Sequence, residues 1–322
     1  QVVLLVIDGL GWNQLADRQH LAPVLAASEG QPITTVAPTT TAAALTSIAT
    51  GAPPGDHGIV GYRIRTGGET LNALRWSTEN GDARERVIPS ELQVLSPFGG
   101  RNPVVITKSE FARSGFTMAH LSGTQFRGYS TMSTFVHEIG TAVADGERFV
   151  YAYYDGLDRV GHERGHGAAF DAEYAFVDRL VGDIREQLDP AVALVVTADH
   201  GQVHTGDNVI PIDASVMRHT HAISGEARFV WLHANPGSQA LLLEAAHAAH
   251  GDDAWVLSVD EVVARRLLGG RVSPDARTRL GDVALIAKST VALLDPAAPD
   301  SILIGRHGSL TADEMYVPLL CP

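Results

Sequence analysis

Cysteine is nearly missing from this chain of 322 residues. Cys321 stands alone, so an intrachain disulfide is impossible and thiolate chemistry is not expected. Basic residues are the minority sign, 24 Lys and Arg against 37 Asp and Glu, for a net charge of −13. That balance argues against a nucleic acid polymer as partner, because phosphate backbones need a basic surface. It leaves a local phosphate site open, since bound metal ions invert the sign of the field around them. No apolar run approaches the roughly 18 residues of a membrane span. Repeats, low-complexity tracts and long charge runs are absent too. Gln1 opens directly into a strand-like run, with no signal-peptide pattern before it. With the single cysteine this fits a cytoplasmic protein without proving it.

What is present is ample core material. A hydrophobic content of 45% over this length can bury one large domain or two smaller ones. Fourteen histidines justify a search for ligands.

Three apolar runs read as strands buried on both faces, the habit of parallel sheets: 2–7, 149–154 and 193–198. Each ends in chemistry-bearing residues. Asp8-Gly9 follows the first, Asp155-Gly156-Leu157-Asp158 the second, and Asp199-His200-Gly201 the third. Taken one at a time these are turn residues. Taken together they stand where α/β proteins place ligands, at the C-terminal ends of strands. His162 lies four residues after Asp158, so one helical turn brings both to one face. Asp155, His166 and His204 compete for places in or around the site. Gly305-Arg306-His307-Gly308 puts a further histidine in a loop.

A second signal is the run Pro38-Thr39-Thr40-Thr41 before Ala42-Ala43-Ala44. Proline disfavours helix in the residue before it, and alanines favour helix after it. A threonine is therefore expected at a helix N-terminus, where free N–H groups attract anions. That helix should run over 42–50 and stop at Gly51. His57, in the Pro- and Gly-rich loop that follows, is expected to anchor the loop by a hydrogen bond.

The remaining elements are read more coarsely. Helices are expected over 14–28 with a kink at Pro23, over 130–145 and over 171–188. Strands are expected over 34–36, 104–107 and 116–119. Arg63, Arg65, Arg75 and Trp76 are candidates for substrate contact or for packing. From about residue 213 the pattern suggests a small α+β insertion, with strands at 228–233 and 255–257 and helices at 238–250 and 259–268. The run 282–287 resembles a core strand again.

Asp8, Asp158, Asp199, His162, His200 and His307 offer oxygen and nitrogen ligands without thiolates. That mix suits zinc, with manganese or iron as alternatives. Six ligands exceed one structural zinc and suit two ions about 4 Å apart, an arrangement for in-line displacement at phosphorus. Two dications would balance three carboxylates and one ionised threonine. A threonine hydroxyl is a poor nucleophile until a metal lowers its pKa, which is why hydroxyl and metal must share a site.

At this point the residues resemble a known family. Pro38-Thr-Thr-Thr-Ala-Ala-Ala-Leu-Thr-Ser-Ile-Ala-Thr-Gly51, followed by Pro54-Gly-Asp-His-Gly-Ile59, resembles the nucleophile region of the type I phosphodiesterase/nucleotide pyrophosphatase family. That family belongs to the alkaline phosphatase superfamily. Asp8, Asp158-x-x-x-His162, Asp199-His200-Gly201 and His307-Gly308 match its metal ligands in type and order.

The resemblance implies an α/β fold, an alkaline-phosphatase-like, mostly parallel sheet sandwiched by helices. The core would comprise 1–212 and 276–322, with 213–275 as the insertion. It places Asp8, Asp199, His200 and the nucleophile on one zinc, and Asp158, His162 and His307 on the other. Thr41 matches the nucleophile, with Thr39 and Thr40 as fallbacks. One departure stands out: the family commonly has an asparagine shortly after the His-Gly-Ile stretch, and here Tyr62 follows Gly61. Tyr62 is the candidate donor to the phosphoryl oxygen in its place.

The expected function is two-metal hydrolysis of a phosphodiester or nucleotide pyrophosphate through a phosphothreonine intermediate. The partner is a small phosphate ester or nucleotide. Alternatives are a phosphomonoesterase or phosphonate hydrolase on the same metals, or a metal-stabilised binding module that has lost catalysis. A sulfatase is not expected, because the Cys- or Ser-x-Pro-x-Arg motif is missing.

Overall fold

The structure is a computed structural model, and it describes residues 1–296 and 303–322. Its first strand, Val2–Ile7, shows why the chain folds as it does. Val3, Leu5 and Ile7 enter one apolar cluster, while Val6 enters a second on the opposite face of the sheet. Every side chain from Leu5 to Ile7 is sealed from solvent. Burying each such side chain contributes about 1.5–3 kcal/mol, so the strand must sit at the centre of a covered sheet.

It does. Seven strands run in the order Glu29–Thr34, Tyr316–Cys321, Ala193–Thr197, Val2–Ile7, Phe149–Tyr154, Val104–Lys108, Gln125–Tyr129. The last five are mutually parallel. Tyr316–Cys321 runs antiparallel to both of its neighbours. Helices Met132–Ala144 and Ala168–Gln187 cover one face through Phe135, Ile139, Tyr174 and Val177. Helices Thr41–Thr50 and Gly115–His120 cover the other through Ala42, Leu45, Phe116 and Ala119. This is the sandwiched, mostly parallel α/β architecture expected from the sequence.

A second sheet of eight strands packs beside the Thr41–Thr50 helix through Phe229, Trp231, Ala284 and Ile286. Its order is Ala254–Ser258, Val283–Ala287, Phe229–Ala234, Thr220–Glu226, Arg63–Thr66, Glu69–Asn72, Ser77–Thr78, Gly81–Asp82. Residues from 63–82 and 283–287 thus share one sheet with the strands after residue 213. The run 282–287 does form a strand, but it pairs with Phe229–Ala234 and Ala254–Ser258 and not with the core sheet.

Other local readings change as well. Residues 116–119 are helical, because Ser114 caps the helix by accepting from the Thr117 N–H at 3.0 Å. The single helix expected over 14–28 is two, Trp12–Asp17 and Pro23–Ala27, since Pro23 opens a helix at its first turn more readily than it continues one. The strand expected at 34–36 lies earlier, at Glu29–Thr34, where it pairs with the C-terminal strand. His57 does anchor its loop: its Nε2 meets the Ser47 hydroxyl at 2.9 Å and its Nδ1 accepts from the Ile59 N–H at 3.1 Å. Trp76 is fully buried and donates from Nε1 to the Val87 carbonyl, so it packs rather than facing a ligand. No helix among the described residues is long and apolar enough to cross a membrane.

Candidate active site

Three strand ends converge because glycines let their loops touch. Gly9, with φ +75°, leaves the space a Cβ would need only 3.0 Å from the Cα of Asp158. A Cβ on Gly201 would lie 2.1 Å from the Asp313 carbonyl oxygen and 2.9 Å from the Cα of Gly11. Side chains at these positions would push the loops apart. Backbone bonds then tie the ends together: the Asp158 N–H donates to the Asp8 carbonyl at 3.2 Å, and the Gly9 N–H to Asp199 Oδ1 at 3.2 Å.

The result is two groups of three. Asp8, Asp199 and His200 form one, Asp158, His162 and His307 the other, and in each the ligand atoms lie within 4.8 Å of one another. His200 Nε2 is 3.4 Å from both Asp8 Oδ1 and Asp199 Oδ2. His162 Nε2 is 3.2 Å from Asp158 Oδ2, and His307 Nε2 is 3.7 Å from Asp158 Oδ1. The groups adjoin, because the rings of His200 and His307 stack at 3.6 Å. Thr41 Oγ1 lies 3.1 Å from His200 Nε2.

Tautomers test whether metal ions fit here. A carbonyl only accepts, so a ring nitrogen facing one must carry the proton. Nδ1 of His162 donates to the Gly305 carbonyl at 2.7 Å, that of His307 to Thr39 at 2.8 Å, and that of His200 to Gly201 at 3.1 Å. All three rings therefore turn Nε2 inward. His162 and His307 point theirs at each other across 3.2 Å. His200 points its own at two carboxylates. Asp8 Oδ1 and Asp199 Oδ2 are buried without hydrogen-bond partners. Lone pairs converging on lone pairs repel, and positive charge between them removes the repulsion. Two sets of nitrogen and oxygen donors with no thiolate suit divalent ions of the zinc type.

The electrostatics agree. Burial pushes the Asp8 carboxyl well above its usual range, and the charges of Asp199 and Asp158 push it further. Burial raises Asp199 in the same sense. Burial works against the Asp158 carboxylate too, but the His162 imidazole beside it wins and holds it low. Burial drives His307 well below the ordinary histidine range, with His200 adding to the effect. Crowded carboxylates and a histidine held neutral are what a cationic guest stabilises.

The three threonines separate by geometry. The Thr39 hydroxyl donates to the Ser309 carbonyl at 2.8 Å and accepts from the Gly308 N–H at 2.9 Å, fixing the His307 loop. The Thr40 hydroxyl bonds to Glu226. Thr40 occupies the N-cap position of helix Thr41–Thr50, yet no side chain caps that end. Thr41, in the first turn, faces the ligand set and lines a cavity of about 430 Å³ together with Asp8, Asp158, His162 and Tyr62. The Tyr62 hydroxyl accepts from Asn72 Nδ2 at 2.6 Å and keeps its own proton to donate. Arg75 lines the same cavity.

Of the competitors, Asp155 is taken by Lys108 at 2.7 Å, and His204 accepts from the His166 N–H at 3.1 Å, outside both groups. Three partners were not anticipated from the sequence. Tyr153 donates to Asp8 Oδ2, and Gln202 donates to both the side chain and, at 3.0 Å, the carbonyl of Asp158. Thr39 supplies the carbonyl that orients His307. Gln202 carried a faint signal, a polar residue right after Asp199-His200-Gly201. Tyr153 carried none, because an aromatic in a buried strand reads as packing.

Murine ectonucleotide pyrophosphatase/phosphodiesterase 5 is similar at 18% identity, covering 99% of this chain and 87% of its own, with a TM-score of 0.76. An inactive threonine-to-alanine form of that murine protein, in complex with AMP, gives a TM-score of 0.74 at 18% identity, over 99% of this chain and 87% of the other. Phosphonoacetate hydrolase from Sinorhizobium meliloti 1021, in complex with phosphonoacetate, is similar at 16% identity over 99% of this chain and 89% of its own, with a TM-score of 0.71. No curated protein matches the chain. The type I phosphodiesterase / nucleotide pyrophosphatase family, by contrast, matches residues 2–310. The chain therefore belongs to the type I phosphodiesterase/nucleotide pyrophosphatase family and is a metal-dependent hydrolase acting on phosphate esters.

Proposed function

We propose that this protein hydrolyses a phosphodiester or nucleotide pyrophosphate bond with Thr41 as nucleophile and two divalent ions as cofactors. Asp8, Asp199, His200 and Thr41 would hold one ion, and Asp158, His162 and His307 the other. The observation that carries the reading is the position of Thr41 Oγ1, 3.1 Å from His200 Nε2 and facing the cavity. The AMP complex of the murine neighbour, inactive through loss of a threonine, supports it.

Bound dications, most simply Zn2+, supply charge neutralisation and lower the pKa of a nearby hydroxyl. The Thr41 hydroxyl loses its proton to water, and Oγ1 attacks phosphorus in line with the leaving oxygen. The bond from phosphorus to the leaving oxygen breaks, and phosphorus stays on Thr41 as an ester. Water then attacks that ester, the bond to Oγ1 breaks, and Thr41 regains a proton. The uncapped N–H groups at the start of helix Thr41–Thr50 and the Tyr62 hydroxyl hold the developing negative charge. Tyr153 and Gln202 orient Asp8 and Asp158.

The test is Thr41→Ala. Turnover of a nitrophenyl phosphodiester is abolished while about two metal ions per chain remain, as a two-ion site requires. Undiminished turnover moves the nucleophile elsewhere. A second reading, a phosphonate hydrolase on the same metals, draws support from the similarity to phosphonoacetate hydrolase. Side-by-side rates on a diester, a monoester and a phosphonate separate the two. Chelation that leaves every rate untouched removes the metals from both.

A further inference from the structure

We propose that the cavity beside Thr41 receives the leaving group of the ester as an apolar or aromatic alcohol bearing an uncharged hydrogen-bonding group, recognised by the hydroxyls of Thr107 and Tyr151. This rests on the phosphoesterase reading above and names the class of substrate for it.

Strands Val104–Lys108 and Phe149–Tyr154 are parallel neighbours, with Val105 opposite Tyr151. Side chains alternate along a strand, so Val105, Thr107, Tyr151 and Tyr153 share one face. That face turns towards the Thr41–Thr50 helix, and its cluster holds Val105, Tyr151 and Tyr153. Thr107 is 3% exposed and Tyr151 1%. Both line the cavity, and neither hydroxyl has a hydrogen-bond partner. A valine and a phenylalanine would fill the same space without the penalty of an unmade hydrogen bond. Tyr153, one strand position further along that face, shows the contrast, because its hydroxyl is engaged by Asp8. Two buried, unsatisfied hydroxyls on adjacent strands, both on residues that line one cavity, mark a place for a polar guest.

The surrounding chemistry fixes what kind of guest. Leu45, Leu74, Phe111 and Leu121 supply apolar walls. Phe116 stacks on His120 at 3.9 Å, and His120 Nδ1 donates to the Phe116 carbonyl at 2.7 Å, so the ring offers only an accepting nitrogen. Burial lowers that imidazole to about 4, keeping it neutral. Burial raises the Tyr151 hydroxyl, which therefore stays protonated. Asp155 is already paired with Lys108. Arg75, Arg159 and Glu163 enter the lining only at exposed positions. An anionic group seated against Thr107 and Tyr151 would lose its hydration and meet the negative fields of Asp199 and Asp8, which reach the Tyr151 hydroxyl, while in the two-ion reading those carboxylates are already engaged and leave no free counter-charge for a cation. A neutral hydroxyl, amide or heterocycle edge would find both a donor and an acceptor. The cavity volume, about 430 Å³, accommodates a ring with such a substituent beside the phosphoryl group.

The experiment compares para-(hydroxypropyl)phenyl methyl phosphate with para-propylphenyl methyl phosphate. The hydroxyl is insulated from the phenol, so the two leaving groups match in acidity. The wild-type ratio of kcat/KM favours the hydroxylated probe by about tenfold, the discrimination expected of one satisfied hydrogen bond. Tyr151→Phe, and the pair Tyr151→Phe with Thr107→Val, bring that ratio close to one. A merely structural role lowers both probes together and leaves the ratio standing, which overturns the proposal, as does a wild-type ratio near one. Calorimetry with the free alcohols, para-(hydroxypropyl)phenol against para-propylphenol, reads the pocket without catalysis. Tighter binding of the hydroxylated alcohol that is lost in Tyr151→Phe supports the pocket even where neither ester is cleaved, in which case the phosphoesterase reading alone falls. Equal binding of the two alcohols overturns the pocket even where both esters are cleaved.

Discussion

The Nε2 atoms of His162 and His307 face each other at 3.2 Å, although 145 residues separate them in the chain. Each ring is turned that way by a backbone carbonyl at its far nitrogen, Gly305 for His162 and Thr39 for His307. Without a shared cation the arrangement is repulsive unless one ring takes a proton. It is therefore the most direct place to test for metal.

His307→Ala is expected to remove about one of two bound ions and to lower diester turnover by more than about 100-fold. Metal analysis of the purified variant, alongside initial rates, checks both. A variant that keeps the wild-type metal content shows that His307 is not a ligand.

Tyr153→Phe removes the donor to Asp8 Oδ2 and leaves every proposed ligand in place. The expected outcome is a zinc affinity about 10–100-fold weaker, with turnover regained when zinc is in excess. Competitive titration against a chromophoric chelator measures it. Unchanged affinity would mean that the tyrosine does not orient the carboxylate.

Glu314→Ala strands a buried charge. Arg228 Nε donates to Glu314 Oε1 at 2.7 Å with both side chains fully enclosed. The same carboxylate accepts from the Ser309 N–H at 2.9 Å, next to the His307 loop. Breaking such a pair costs about 3–5 kcal/mol. Denaturant unfolding reads the stability loss; a loss well under about 1 kcal/mol would mark the pair as behaving like an exposed one.

Glu226 makes stability depend on pH. It is partly exposed as a residue, but its Oε1 is enclosed and has no partner. Burial raises its pKa from 4.5 to about 8. The folded carboxyl therefore holds its proton more tightly than the unfolded one. Its stabilising contribution is complete below pH 4.5 and is lost as pH rises to about 8. Thermal melts across that window should show a decline in wild type that is shallower in Glu226→Gln. Parallel curves would show that the carboxyl titrates normally.

Much of the core was legible because burial leaves a one-dimensional trace. Val2–Ile7, Phe149–Tyr154 and Ala193–Thr197 are continuous apolar runs, and only a strand covered on both faces uses such a run. Residues 116–119 failed the same reasoning. Their aromatic and β-branched residues favoured a strand, but the Ser114 cap and the packing of Phe116 and Ala119 against the sheet decided for helix. The run 283–287 reads as a core strand and is buried at every position, but it lies in the second sheet, since an apolar run names no partner.

By itself the sequence determined the parallel core, the glycine hinges after Asp8 and before Gln202, and the residue types able to bind metal. Those follow from local rules, in which burial, turn chemistry and spacing act over a few residues. Resemblance to the family already put Thr41 ahead of Thr39 and Thr40, while tertiary structure alone decided that Tyr153 donates to Asp8 and that Thr107 and Tyr151 stand unpaired in the cavity lining. Each of these depends on which side chains from distant strands and loops meet in space, and contact across more than a hundred residues is set by the packing of whole layers.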